Sequence, residues 1–323
     1  MSWKEELKYD PVPSLMASKN EPLRYFTAKD LMDTVPEPIS KLWALPRCRK
    51  IIEVQQPNGS WEYHRGRAHI RSREDYDQIE TYRVLRILVE EFGVNKNLPA
   101  FNEAAEFLFG HQTEEGDFRG ICGNQYVPYY SAAMMELLIK GGYSTDRRIE
   151  RGFRWLTSSR QNDGGWAFPM RTVGRRLGSE TFGMETIRPD KTKPFSHLIT
   201  GMVLRAFAAH SSYRKSEVAR AAAALLASRF FQADKYPDRR TSNFWTSFSY
   251  PFWFTDLISS LDSLSLLGLS ANRPRIQESL RWFVARQKKD GRWELRLRAM
   301  AREEEPSAWI SLAISRIFKQ FYA

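Results

Sequence analysis

Residues 287–293 read QKKDGRW, and this short stretch has relatives at regular intervals along the chain. Residues 55–61 read QQPNGSW, residues 112–118 read QTEEGDF, and residues 161–166 read QNDGGW, one residue shorter. A worn copy, FQADKY, lies at residues 231–236. The glutamines of successive copies are 49 to 71 residues apart. A motif that returns at this interval indicates one supersecondary unit that is stacked several times.

Each copy lies between two helical patterns. An amphipathic segment precedes the motif, as at residues 149–156, and a more apolar segment follows it, as at residues 198–207. In the second segments apolar residues recur three and four positions apart, and several of these segments end at glycine, which is typical of helices. Strand patterns are scarce. The repeat therefore predicts an all-α fold of about five to six helical hairpins, each built from a helix, a Gln-x-x-x-Gly-x-Trp turn, a loop and a second helix.

Repeats of this kind resemble the signature of terpene cyclases and of protein prenyltransferase β-subunits. The resemblance implies an α/α toroid, in which inner and outer layers of helices form a ring. We expect residues 1–37 to be an N-terminal extension and residues 38–323 to form the toroid as a single domain. The motif residues are expected to brace this ring, and the fold by itself does not specify a function.

Composition restricts the partners and the compartment. The chain has 323 residues, a net charge of +11 and only two cysteines, Cys48 and Cys122. Two cysteines form no disulfide framework, and residues 1–13 lack the apolar core of a secretory signal. We therefore expect a cytoplasmic protein, with peripheral contact at a membrane surface as an option. The positive charge calls for an acidic partner, but no nucleic-acid recognition module is present, so no specific nucleic-acid partner is expected.

Five loops that follow the repeat turns carry +7 of the net charge on 72 of the 323 residues. In a toroid these loops lie at the same end as the N-termini of the inner helices, which also attract anions. A diphosphate suits such a rim because guanidinium groups bind phosphate oxygens in pairs. The candidate rim residues are Arg65, Arg67, Arg71, Arg73, Arg171, Arg175, Arg176, Lys191, Lys193, Arg239 and Arg240.

Aromatic residues mark the starts of the second helices. A cavity lined by such rings would bury a polyisoprenoid tail, at about 0.8 kcal/mol for each CH₂ group. The ring faces would also stabilise a carbocation. The candidate lining residues are Tyr129, Tyr130, Trp253, Phe254 and Trp309.

The catalytic motifs of the resembling families are incomplete here. The Asp-x-Asp-Asp acid motif of class II terpene cyclases is absent from the sequence. Asp256, close to aromatic residues, is the candidate acid, since desolvation raises the pKa of a buried carboxyl group, and His197 is the candidate to orient it. The alternative role of Asp256 is that of a helix N-cap.

The zinc site of prenyltransferases would need Asp, Cys and His ligands. Cys122, His197 and Asp256 occupy roughly comparable places, but the family's Asp-x-Cys pair is missing, so we expect no metal site and no cofactor, with zinc or magnesium as the alternatives.

Residues 122–125 read CGNQ, which has the Cys-x-x-Gln spacing of the thioester motif in complement-type domains. Those domains share the toroid fold, and Asn124 replaces their usual glutamate.

Two functional hypotheses remain. The first is a terpene-cyclase-like or prenyltransferase-like protein that binds an isoprenoid diphosphate, or a related anionic lipid, in the central cavity of the toroid and cyclises or transfers it. The alternative is a non-catalytic binding or scaffold protein on the same fold. The basic loops and the aromatic helix starts favour the first hypothesis, whereas the missing acid motif favours the second.

Overall fold

The computed structural model describes residues 2–34, 37–63, 73–176, 178, 181, 183–251, 254–298 and 305–322, except for the side chains of 73–75 and 239. Within these residues the regular elements are helices, and extended segments meet only at isolated bridges. The predicted all-α class is confirmed. The chain forms two compact units: a mid-chain unit, Ile39–His210, and a terminal unit, which combines Met1–Pro38 with Ser211–Ala323.

The α-helices follow the two patterns predicted around each motif. In chain order they are α1 (Val12–Met16), α2 (Glu21–Leu31), α3 (Ser40–Trp43), α4 (Pro46–Ile52), α5 (Arg73–Phe92), α6 (Pro99–Phe109), α7 (Pro128–Leu138), α8 (Arg147–Ser158), α9 (Pro169–Thr172), α10 (His197–Ala209), α11 (Glu217–Ala227), α12 (Leu257–Leu266), α13 (Pro274–Ala285) and α14 (Pro306–Tyr322). Short 3-10 turns lie at Trp3–Glu6, Tyr213–Lys215, Pro237–Arg239 and Ser242–Thr246, and a π-helical turn at Ile139–Tyr143 continues α7.

Each unit contains its own helix packing. In the mid-chain unit α7 packs against α5 and α10. Helices α4 and α6 both pack against α5, and α8 packs against α7. In the terminal unit α14 packs against α12, α2 and α1, and also against the 3-10 turn Trp3–Glu6. The helical hairpins expected of the repeat are therefore present, and residues 1–38 pack with the C-terminal part of the chain.

The side-chain amide of the motif glutamine links its own turn to a neighbouring segment of the fold. The Gln55 side-chain amide donates to the carbonyl oxygens of Gly59, at 2.9 Å, and of Ala100 in the first turn of α6, at 2.8 Å. The same pair of bonds recurs in the second and fourth copies, made by Gln112 and Gln287. In the shorter third copy Gln161 reaches two carbonyls of a later loop instead. The glutamine thus links its turn to the next repeat in the first two copies, to its own loop in the third and to the N-terminal segment in the fourth.

The motif aromatic residue is held at two points. The indole N–H groups of Trp61, Trp166 and Trp293 each donate to a carbonyl ten residues earlier, at 2.7–2.8 Å, in the preceding helix. The backbone N–H of the aromatic residue donates to a hydroxyl on the following helix, in every complete copy. These four bonds are Trp61 to Thr81, Phe118 to Ser131, Trp166 to Thr200 and Trp293 to Ser311, at 2.8–3.0 Å. Since all four aromatic side chains are buried, the motif is the core of each hairpin.

The motif glycine is required where the turn meets the next helix. Gly59 has a positive φ of 85°, and a Cβ atom there would lie 2.3 Å from the carbonyl oxygen of Glu103. Gly164, at the same place in the third copy, has a φ of 99° but open space around it. The first position thus demands glycine for both its backbone conformation and its close contact, and the second for its conformation alone.

A buried ionic network joins the three adjacent helices of the mid-chain unit. Glu136 on α7 accepts from Arg86 on α5 at 2.7 Å and pairs with Arg205 on α10 at 3.2 Å. Lys140 pairs with both Glu136, at 2.9 Å, and Glu90, at 2.7 Å. Burial opposes ionisation of both glutamates, but the surrounding cations prevail and hold the pKa of Glu136 well below its usual value and lower that of Glu90. The network therefore stays ionised in the folded unit near neutral pH.

Candidate functional site

An aromatic cluster lies around the N-terminal end of α7. The rings of Tyr129 and Tyr130 are 4.6 Å apart between centroids, and Tyr130 meets Tyr82 of α5 edge-on at 6.1 Å. Tyr129 meets Phe168, just before α9, at 6.0 Å. Tyr129 and Tyr130 are half-buried, so part of each ring remains accessible. We call Tyr82, Tyr129, Tyr130 and Phe168 the aromatic cluster.

Local sequence explains this placement. Pro128 occupies the first turn of α7, where its missing N–H is tolerated, and its fixed φ sets the direction of the two tyrosines that follow. Tyr82 is fixed by its hydroxyl, which accepts from Arg86 at 3.2 Å. Burial raises the pKa of the Tyr130 hydroxyl, so Tyr130 stays neutral. Tyr129 and Tyr130 are predicted from the sequence as lining residues, whereas Tyr82 and Phe168 are not, although Phe168 lies only two residues after a motif tryptophan.

A second site is a cleft in the terminal unit with a volume of about 420 Å³. It combines two of the basic loops, one after the worn repeat and one after the fourth copy. The lining residues are Pro237, Asp238, Arg240, Thr241, Asn243, Phe244, Ser247, Arg296 and Arg298. We call this the arginine cleft. Arg240 is predicted from the sequence as a rim residue, whereas Arg296 and Arg298 are not, although both lie in one of the five loops that follow the repeat turns.

Backbone pairing brings the two loops of the arginine cleft together. Phe248 donates its N–H to the carbonyl of Arg296 at 3.0 Å and accepts from the N–H of Arg298 at 2.8 Å. The fully buried ring of Phe248 packs against Trp282 and Phe283 and anchors this bridge. In an extended segment residues two apart point to the same side, which is how both arginines line the cleft.

Arg298 is held firmly but is not neutralised. Its Nε–H donates to the Ser247 carbonyl at 3.0 Å, and its guanidinium lies 5.8 Å from the ring centre of Phe254. Burial lowers the pKa of the Arg298 guanidinium, Asp256 opposes this, and Arg296 adds to it. Among the described residues no carboxylate oxygen comes within ion-pairing distance of Arg298.

The candidate acid, Asp256, is the N-cap of α12. Its Oδ1 accepts from the N–H of Ser259 at 2.8 Å, and the Ser259 hydroxyl accepts from the N–H of Asp256 at 3.0 Å, which completes a capping box. The Asp256 residue is only 2% exposed. The alternative role given by the sequence is therefore present in the structure, and an acid role stays a prediction.

The remaining predicted catalytic and aromatic residues are divided between the two units: His197 lies in the mid-chain unit, and Phe254 and Trp309 lie in the terminal unit. His197, in the mid-chain unit, is buried at the start of α10 and meets the ring of Phe195 at 5.4 Å. In the terminal unit Trp309 is buried in α14 and stacks on Tyr250 at 5.2 Å. Phe254 is half-buried, and Trp253 lies outside the described residues.

The predicted rim residues of the mid-chain unit differ in their surroundings. Arg175 and Arg176 are exposed, and Arg171 is half-buried. Lys193 pairs with Asp190 at 3.7 Å, and Lys191 donates to the Ser158 carbonyl at 2.7 Å. Residues that lie outside the described part, wholly or in their side chains, are Arg65, Arg67, Arg71, Arg73 and Arg239.

The loop with the Cys-x-x-Gln spacing has a structural use. Cys122 is buried. The Gln125 amide donates to the Thr181 carbonyl at 2.9 Å, and its oxygen accepts from the N–H of Ile187 at 3.0 Å. Gln125 thereby fixes the loop after α9.

The described residues contain neither a metal-ligand cluster nor a membrane-spanning helix. No three His, Cys, Asp or Glu side chains of the described chain are grouped so that they could hold a metal ion. None of its helices has both the length and the apolar character that crossing a bilayer requires.

Comparisons with known proteins agree with the repeat. Residues 75–174 match the family model of the squalene-hopene cyclase C-terminal domain, which confirms the resemblance to terpene cyclases for that part of the chain. The four residues of the aromatic cluster all lie within the matched segment. No curated protein matches the chain.

Solved structures of low identity cover most of the chain. A ligand-free variant of the type II terpene cyclase MstE from Scytonema is 13% identical, over 88% of this chain and 84% of that one, with a TM-score of 0.44. A protein from Actinoplanes is 16% identical over 88% of each chain, with a TM-score of 0.42. A third structure, MstE in complex with its substrate geranylgeranyl dihydroxybenzoate, is 13% identical over 88% of this chain and 97% of that one, with a TM-score of 0.36.

Proposed function

We propose that this protein is a terpene-cyclase-like protein that binds an isoprenoid chain, or a related anionic lipid, against the aromatic cluster. The observation that carries the proposal is the group of four rings at the start of α7, two of them partly accessible. The match of residues 75–174 to the squalene-hopene cyclase domain supports it, since that segment contains all four rings.

The chemistry of the cluster suits a branched hydrocarbon with carbon–carbon double bonds. Ring faces give a large apolar contact area, and each CH₂ group they remove from water contributes about 0.8 kcal/mol. The same faces attract positive charge. Both an isoprenoid and a saturated fatty chain would gain from burial against the rings. Only the isoprenoid, which becomes a carbocation during cyclisation, would also be stabilised by the ring faces.

Catalysis is the further step of the proposal. Cyclisation needs a proton donor, and Asp256 is the residue that we assign to this role. The second candidate function is a non-catalytic binding or scaffold protein. The capping box of Asp256 favours it, because that carboxylate already has a structural use.

The test is a thermal-shift titration with uncharged prenyl alcohols of increasing length, farnesol and then geranylgeraniol. A ligand that binds only the folded state raises the melting temperature by mass action, so we expect a saturable shift that grows with tail length. Tyr129→Ala and Tyr130→Ala should each weaken binding roughly 2- to 10-fold, the range expected for one lost aromatic contact.

The matched control is Tyr9→Ala, which removes a tyrosine that is 41% exposed and lies in the terminal unit. It should leave the titration unchanged. A shift that ignores tail length, or an equal loss of affinity in the control, would rule out the aromatic cluster as the isoprenoid site.

A further inference from the structure

The side chains that line the arginine cleft carry more positive than negative charge. Three guanidinium groups and one carboxylate, Asp238, line it, which leaves a formal charge of +2. Arg240 and Arg296 are exposed, and in the described part of the chain neither side chain has a hydrogen bond or an ion pair. A pair of arginines at a protein surface is commonly just solvated. The third arginine distinguishes this site, because Arg298 is half-buried and, among the described residues, no carboxylate forms an ion pair with it.

The fixed geometry of the cleft points to a specific ligand. The bridge at Phe248 sets the backbone of Arg296 and Arg298, and the Ser247 carbonyl holds the Arg298 guanidinium by its Nε–H. With its Nε in use, the remaining N–H groups of Arg298 are available to a ligand, apart from a long bond of 3.4 Å to the Phe244 carbonyl. A guanidinium fixed in advance loses less entropy when it binds an anion.

The polar lining matches an anionic group rather than a hydrocarbon, and the charge of the cleft matches a phosphate better than a single carboxylate. Guanidinium forks bind phosphate oxygens in pairs, and the hydroxyl and amide groups of Thr241, Asn243 and Ser247 can donate further hydrogen bonds. A net +2 complements a group with about two negative charges, such as a phosphate ester or a diphosphate. The volume of about 420 Å³ lies within the usual range for small-molecule sites.

We propose that the arginine cleft is a binding site for a diphosphate or phosphate-ester group, with Arg240, Arg296 and Arg298 as its ligands. An anion here would also place a negative charge in direct contact with Arg298, which no carboxylate of the described residues does, and it would oppose the lowering of that pKa by burial. The proposal deepens the proposed function only where the diphosphate belongs to the isoprenoid, and the site itself can be tested without any lipid.

The experiment is calorimetric titration of the full chain with inorganic pyrophosphate, at low and at high salt, beside geranylgeranyl diphosphate and the uncharged geranylgeraniol. We expect saturable pyrophosphate binding that weakens at high salt, as screening requires. Arg240→Gln, Arg296→Gln and Arg298→Gln should each weaken it roughly 10- to 100-fold, the loss expected for charge-assisted hydrogen bonds. The control is Arg273→Gln, which removes an exposed arginine of the same unit, outside the cleft and without a side-chain partner in the described chain.

Pyrophosphate binding tests the anion site and geranylgeraniol binding tests the isoprenoid site, so the two proposals can fail independently. If geranylgeraniol binding survives in the cleft variants while pyrophosphate binding is lost, both sites are supported. If wild-type protein does not bind pyrophosphate, or if Arg273→Gln loses as much affinity as the cleft variants, the anion site is refuted, whatever geranylgeraniol does. Because Arg298 also braces the Ser247 loop, a misfolded Arg298→Gln would leave the decision to Arg240→Gln and Arg296→Gln, whose side chains have no structural bonds in the described chain.

Discussion

Replacing Asp256 separates two roles that the structure and the sequence assign to one carboxyl group. As the N-cap of α12 it needs only an acceptor oxygen, which receives the Ser259 N–H at 2.8 Å. As an acid it needs a titratable proton. Asn keeps the acceptor and removes the proton, whereas Ala removes both.

The magnitudes follow from the buried capping box. Asp and Asn are nearly equal as N-caps, so Asp256→Asn should change the free energy of unfolding by less than about 0.5 kcal/mol through the cap. Asp256→Ala should cost about 1 to 2 kcal/mol, since it also leaves the Ser259 N–H without a partner in a site that is 2% exposed. Urea unfolding of both variants at neutral pH gives these values directly.

Activity is measured on the same two variants. With a geranylgeranyl substrate and product analysis, an acid role requires that Asp256→Asn lose turnover while it keeps near-wild-type stability. Equal stability loss in both variants would refute the capping argument. Full turnover by Asp256→Asn would remove Asp256 from the catalytic role and would favour the non-catalytic alternative.

Three further predictions concern the repeat and the mid-chain unit. Gly59→Ala should destabilise the protein by more than Gly164→Ala, because both strain a positive φ, at about 1 kcal/mol, but only the first also forces a Cβ against a carbonyl oxygen; equal melting temperatures would contradict this. Thr200→Val should cost about 1 to 3 kcal/mol by leaving the buried N–H of Trp166 unpaired, whereas Thr200→Ser should cost less; denaturant midpoints of the two variants decide it. The carboxylates of Glu136 and Glu90 have lowered pKa values, so their contribution to stability is present above about pH 4.5 and is lost as the pH falls through the folded-state values. Glu136→Gln should cost about 3 to 5 kcal/mol at neutral pH and should flatten the acid-induced fall in melting temperature, and an unchanged acid profile would show that the network does not control it.

The hairpins could be predicted because the information for them is local. The spacing of the motif and the 3.6-residue periodicity on either side of it lie within about 50 residues, and the helices α5, α7, α10, α12 and α14 form where the apolar patterns place them. The buried positions of the motif tryptophans follow from the same pattern. Their bracing role is visible in sequence because a Gln-Gly-aromatic set recurs with the same spacing in three copies, at residues 55–61, 112–118 and 287–293.

The partners of the motif could not be predicted in the same way. Serine and threonine are common on helices, and nothing in the sequence distinguishes Thr81 or Ser131 from other hydroxyls until the turn is folded against them. The arginine cleft depends on a bridge between residues 248 and 297, whose pairing has no local signal. Net charge identified both loops as basic, but it could not show which of their arginines share a cleft.

The Gln287 brace has a consequence for the order in which the terminal unit can form. Its side chain accepts from the N–H groups of Lys8 and Tyr9 and donates to the Tyr9 carbonyl, so an early segment of the chain completes the last repeat. During synthesis residues 1–38 emerge well before residues 211–323, with which they pack. The helices of the mid-chain hairpins are close in sequence and can pack while the chain is being synthesised. Helices α1 and α2 can pack against α14 only after the C-terminal residues have been added. Until then the apolar faces of α1 and α2 have no partner from the C-terminal part of the chain.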